Sequence, residues 1–86
     1  MPTVYIPQAW RDLTGGVEHI ELAGGNLRQI IAALEGKFPG LAARAILGDS
    51  LASGVAASID GSMTGRLLTG VLPDSEIHFL PALGGG

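Results

Sequence analysis

The chain has 86 residues, 47% of them hydrophobic and 15% charged, which suits one folded domain and argues against disorder. Its net charge of −3, with no cluster of Lys or Arg, argues against nucleic acid as a partner, because phosphate recognition needs concentrated cations. The lack of cysteine excludes a disulfide scaffold, a thiol nucleophile and a thiolate metal site, and no apolar run approaches the ~20 residues of a membrane span.

Met1-Pro2-Thr3 lacks a basic segment with an apolar stretch behind it, so no secretory signal and a cytoplasmic address are expected. Val4 and Ile6 flank Tyr5 with the alternation of a half-buried strand. Thr14-Gly15-Gly16 is turn chemistry. Val17 to Leu22 resumes extended structure, with Ile20 and Leu22 on one face and His19 and Glu21 on the other. The two runs read as a hairpin whose loop, Pro7–Leu13, is long.

Gly24-Gly25 breaks the second strand. Asn26 is a suitable N-cap, and Gln29 stands where a capping box needs it. Leu27, Ile30, Ile31, Leu34 and Phe38 follow at helical spacing, which predicts a helix over about 26–38 with one apolar stripe. Pro39-Gly40 stops it. Leu41 to Leu47 suits a short helical turn, and Gly48 to Gly54 reads as a loop. Val55, Ala57 and Ile59 alternate up to Asp60-Gly61, a strand entering a tight turn. Arg66 to Thr69 reads as a short edge strand, and Pro73-Asp74-Ser75 as a turn. Glu76 to Leu80 alternates again, with Ile77 and Phe79 facing one way. Pairing is expected to fade at Pro81, which has no N–H to donate.

The order is strand, strand, helix, then three strands. One amphipathic helix covers one face of one small sheet, so the expected class is α+β. The expected architecture is a β-grasp: a mixed four- or five-stranded sheet packed on one main helix. The domain is expected over 1–83, with 84–86 a flexible glycine tail. No repeat or second domain is visible.

Few side chains suggest chemistry of their own. His19 and His78 fall on the polar sides of their strands, with no partner at ligand spacing, so no metal site is expected. Trp10-Arg11 reads as a loop anchor against the sheet before it reads as a partner contact. The two glycine pairs lack the residues of a phosphate loop. Asp12, Glu18 and Glu21 read as solvated charge, while Glu35 and Arg44 suit either a surface or a docking role. No Ser–His–Asp set or carboxylate pair can be proposed from spacing, so a hydrolytic enzyme is not expected.

The tail is different. Phe79-Leu80-Pro81-Ala82-Leu83-Gly84-Gly85-Gly86 resembles the C-terminus of the ubiquitin-like sulfur carriers, the group of molybdopterin synthase small subunits and thiamine-pathway carriers. Ile6-Pro7, Arg11 and Thr14-Gly15-Gly16 are similar to the branch that feeds cysteine synthesis. So are Leu27 to Leu34-Glu35 and Phe38-Pro39-Gly40-Leu41 to Arg44. The resemblance implies that Gly86 carries the reacting carboxylate. A ubiquitin-activating-enzyme-like adenylyltransferase would spend ATP to make its acyl-adenylate. A persulfide protein or sulfide would convert it to a thiocarboxylate, for use by a sulfur-accepting synthase. The carrier would bind no cofactor, although it could serve as the small subunit of a synthase. Gly84 and Gly85 would thread a narrow channel, since the backbone approaches closely where there is no Cβ. Phe79, Leu80, Pro81 and Leu83 would bind the partner. Two alternatives stand beside this: a ubiquitin-like modifier joined through Gly86 to target lysines, and a non-catalytic interaction subunit. The pathway that takes the sulfur, whether molybdenum cofactor, thiamine, cysteine or a specialised metabolite, is left open, with the N-terminal half leaning to the cysteine branch.

Overall fold

In the computed structural model, which describes residues 1–81, two short strands come first: β1 (Thr3–Tyr5) and β2 (His19–Glu21). Between them lie a 3-10 turn (Gln8–Trp10) and α1 (Arg11–Thr14). Then follow α2 (Leu27–Lys37), α3 (Leu41–Ala45), β3 (Ile46–Leu47) and β4 (Ser50–Leu51). The chain continues through β5 (Val55–Ile59), β6 (Ser62–Thr64) and β7 (Glu76–Pro81). Five strands form one sheet in the order β2-β1-β7-β5-β6, and β3 pairs with β4 apart from it. Only β1 and β7 run parallel; the other neighbours are antiparallel. This is the expected mixed sheet with one main helix. β7 is its middle strand.

The helix forms for the reasons its sequence suggests. The Asn26 side chain accepts a hydrogen bond from the Gln29 backbone N–H at 2.9 Å. The Gln29 side chain reaches back to the Gly25 N–H at 2.7 Å, one residue earlier than a standard capping box. Leu27, Ile30, Ile31 and Leu34 are fully buried and meet Val4, Ala57, Ile59, Ile77 and Phe79 of the sheet in one core cluster. Gly24 leaves little room for a side chain: a Cβ there would stand 2.9 Å from Ile30 Cδ1 and 3.2 Å from the Ile30 backbone nitrogen.

Gly40, at φ +97°, turns the chain into α3. Glu35 fixes that turn. Its carboxylate accepts from the backbone N–H groups of Gly40 and Ala42, each at 3.0 Å, and covers donors that α3 cannot satisfy internally. Those two N–H groups, Gly40 first, hold the Glu35 carboxyl below the usual carboxylate range.

Four expectations need correction. The Pro7–Leu13 segment is not a plain loop but a 3-10 turn running into α1. It is held by Trp10, buried with its ring centroid 5.4 Å from that of Phe79, and by Arg11, whose Nε donates to the Ile6 carbonyl at 3.1 Å. Asp12 is not merely solvated: Arg44 pairs with both its oxygens at 2.8 and 2.9 Å and also donates to the Ala9 carbonyl. The Gly48–Gly54 stretch contains β4, which pairs with β3. The edge strand is Ser62–Thr64, entered through Asp60 and Gly61 at φ +52° and +87°. Arg66 to Thr69 instead caps α2, its Leu67 and Thr69 carbonyls accepting from the Arg28 and Leu27 N–H groups at 2.8 and 3.1 Å. Those helix donors have no partner within the helix, so the segment is drawn to them and away from the sheet.

Candidate functional site

Alternation along β7 divides its side chains between two worlds. Ile77 and Phe79 point into the core, and Glu76, His78 and Leu80 point outward. The register aligns the outward residues into rows across the sheet. One row runs His19, Tyr5, His78, Ser58, Met63; a second runs Glu21, Thr3, Glu76; Leu80 pairs with Ala56. In the first row the Tyr5 and His78 rings stack with centroids 4.3 Å apart and planes 2° apart. His19 flanks Tyr5 on the other side, at 5.8 Å. His78 Nε2 stands 3.9 Å from a Glu76 carboxylate oxygen.

The pairing of β1 with β7 stops beyond Tyr5 and His78. Neither Pro7 nor Pro81 has an N–H to extend it. A cleft of about 490 Å³ opens there, with Tyr5, Pro7, Glu18, His19, His78 and Leu80 in its walls. On the far side of β7, pairing with β5 continues to Val55 opposite Pro81. The tail root is therefore anchored on one side and open on the other.

The apolar residues proposed for partner contact separate. Leu80 is 46% exposed and faces outward beside the cleft. Phe79 is 2% exposed and packs against Trp10 in the core, and it also forms part of the cleft wall. Pro81 is the last described position, at the end of β7. Leu83, Gly84, Gly85 and Gly86 lie outside the described residues, as does the boundary between domain and tail. His19 and His78 lie on the polar face, as expected, and Trp10 is the loop anchor. The stacked row of Tyr5, His19 and His78 was not foreseen. Its signal was present, since each residue sits at an outward position of its strand, but only the register brings the three together.

Among the described residues, no group of three or more His, Asp or Glu could hold a metal ion, and no helix is long and apolar enough to cross a membrane. What the arrangement offers is a surface: an exposed sheet face with an aromatic stack and an apolar rim, beside the strand that leads into the glycine tail.

Known proteins share this architecture. A chain in the crystal structure of the Amycolatopsis orientalis BexX/CysO complex superposes with a TM-score of 0.93 and 28% identity, covering the whole of both chains. Mycobacterium tuberculosis CysO, described as an antigen, gives a TM-score of 0.88 and 27% identity over 96% of this chain and 100% of its own. Small archaeal modifier protein 1 from Methanosarcina acetivorans shares the fold, with a TM-score of 0.79 and 23% identity over 99% of this chain and 95% of its own. No curated protein matches the sequence. The ThiS family matches residues 4–86, from the first strand through the final glycine. On that match, and on a fold shared with CysO, the chain belongs to the ThiS family of ubiquitin-like sulfur carriers.

Proposed function

We propose that the protein carries sulfur as a thiocarboxylate on Gly86 and is a co-substrate of other enzymes, not an enzyme itself. The observation that supports this most is the family match, which includes the glycine tail together with the domain that presents it. The strand order supports it too: β7, the strand that precedes the tail in sequence, is the middle strand of the sheet and borders an exposed face.

The chemistry follows from the weakness of a carboxylate as an electrophile. The Gly86 carboxylate oxygen attacks the α-phosphorus of ATP in a partner adenylyltransferase, and pyrophosphate leaves. Hydrosulfide attacks the acyl carbon, AMP departs with the bonding pair, and a thiocarboxylate remains. A persulfide donor reaches the same product if a thiol then cleaves the acyl disulfide. A sulfur-accepting synthase receives the product. Gly84 and Gly85 let the backbone pass a channel too narrow for side chains. Such a cycle, dependent on ATP and reduced sulfur, fits a cytoplasmic protein. The A. orientalis CysO structure is a complex with BexX, which supports a function exercised through a partner protein.

The test incubates the protein with the adenylating enzyme of its own host, ATP and sulfide, and reads intact mass. Replacement of one oxygen by sulfur at Gly86 is expected, and deletion of Gly85-Gly86 should abolish it. Higher-mass conjugates on lysines would instead assign a modifier. An unchanged mass with no conjugates would leave an interaction subunit.

A further inference from the structure

Between β6 and β7 every second residue faces out. Arg66, Leu68, Gly70, Leu72 and Asp74 are exposed, whereas Leu67, Val71 and Ser75 are buried and Thr69 is half-buried; only Pro73 breaks the alternation. The backbone of this segment is fixed. The Leu67 and Thr69 carbonyls accept from the first turn of α2, and the Val71 N–H donates to the Gly25 carbonyl at 2.9 Å. The Ser75 hydroxyl accepts from the Leu72 N–H at 2.9 Å and donates to Asp60 at 2.7 Å. The outward side chains are uncommitted. Among the described residues neither the Arg66 nor the Asp74 side chain forms an ion pair, and Leu68 and Leu72 are 74% and 69% exposed.

These outward residues are self-complementary in order. From Gly70, each direction meets a leucine and then a charge, positive toward β6 and negative toward β7. Gly70 itself has no internal reason to be glycine. Its φ is not in the left-handed region, and a Cβ there would meet nothing within 4 Å. Its bareness therefore faces outward, where it lets another backbone approach closely.

We propose that this segment is a homodimer interface with its two-fold axis at Gly70. The axis sets Leu68 against Leu72 of the second copy and Arg66 against its Asp74, and repeats both contacts in reverse. An isologous interface needs just such a patch, one that complements itself. A cleft of about 400 Å³ beside Leu68, walled by Arg28, Asp49 and Ser50, gives the incoming Leu72 a seat. The held backbone lowers the ordering cost of association. A contact built on one short segment falls below the roughly 800 Å² per partner of a stable interface, so the dimer exchanges with monomer. The segment enters β7 at Glu76, whereas the last described residue, Pro81, ends that strand. The dimer thus leaves the far end of β7 uncovered in both copies.

The experiment is sedimentation equilibrium of the full chain over a concentration series, with folding of each variant checked by far-UV circular dichroism. Wild type should fit a monomer–dimer equilibrium. Arg66→Asp and Asp74→Arg each set like charges across the axis and should each raise the dimer Kd about tenfold or more. Gly70→Glu, free of clashes in the monomer, should do the same. Mixing Arg66→Asp with Asp74→Arg should restore association, because the heterodimer regains both opposite-charge pairs; both proteins remain net negative, so overall attraction cannot account for it. The double variant Arg66→Asp/Asp74→Arg should dimerise like wild type. A wild type that stays monomeric throughout overturns the proposal. So does a dimer indifferent to these substitutions, or one that neither the mixture nor the double variant restores.

Discussion

Phe79 and Leu80 are adjacent in sequence, yet their replacement should have opposite consequences. In Phe79→Leu the Trp10 ring loses its aromatic neighbour at 5.4 Å, and the buried site loses volume. An aromatic pair contributes about 0.5–1.5 kcal/mol beyond area burial, so with the volume lost the substitution should cost about 1–2 kcal/mol. A chain of this size is stable by only about 4–13 kcal/mol, at roughly 0.05–0.15 per residue. At about 4–8 °C per kcal/mol, the melting temperature should fall by roughly 4–16 °C. Leu80→Ala, at an exposed position, should stay within about 0.5 kcal/mol of wild type and instead raise the KM for the activating partner. Urea unfolding measures both, because Trp10 is the single tryptophan, is buried, and reports directly on the Phe79 contact. The assignment of the two faces is refuted if Leu80→Ala destabilises as much as Phe79→Leu, or if Phe79→Leu leaves the urea midpoint unmoved.

Gly24→Ala should destabilise by about 1–3 kcal/mol, since the new methyl meets both the side chain and the backbone of buried Ile30. Gly36→Ala should do the reverse: its Cβ would meet nothing within 4 Å, and the midpoint should rise by about 0.5–1 kcal/mol of stability. Three carboxyls are held below their ordinary range: Asp12 chiefly by the Arg44 hydrogen bond, Glu35 by the Gly40 and Ala42 N–H groups, and Asp60 by the Ser75 hydroxyl and then the Glu76 N–H. Each releases its proton more readily in the folded chain than in the unfolded one. The stability they contribute is therefore complete above the ordinary carboxylate range and lost as pH falls through it toward the lower folded values. Melting curves taken from neutral to acid pH should show that decline, and Glu35→Gln or Asp60→Asn should flatten it; an unchanged slope would contradict the assigned hydrogen bonds.

The long periodic elements were legible and the short ones were not. α2 announced itself through Asn26, Gln29 and five apolar residues at helical spacing, and β5 and β7 through strict alternation. The 3-10 turn at Gln8–Trp10 and the four-residue α1 are too brief for a period to show. They form because Trp10 has a buried place beside Phe79 and because Arg11 and Arg44 tie the segment down. Arg66–Thr69 misled for a related reason: the pattern held no sign that the first N–H groups of α2 would claim its carbonyls. Glu35 also needed the fold, since its role depends on Gly40 and Ala42 folding back on it. At the candidate site, alternation placed Leu80 and His78 outside. Only the parallel alignment of β1 with β7 put Tyr5 onto His78.

That alignment also has a mechanical side. The strand feeding the tail is paired with β5 from Ile77 to Pro81 and with β1 over Glu76–His78. Backbone hydrogen bonds in a sheet lie across the strand direction, so a pull along the tail loads several of them together instead of peeling them one at a time. If the protein is the proposed carrier, a partner that drew the glycines into a channel could therefore put them under tension without unravelling the body that delivers them.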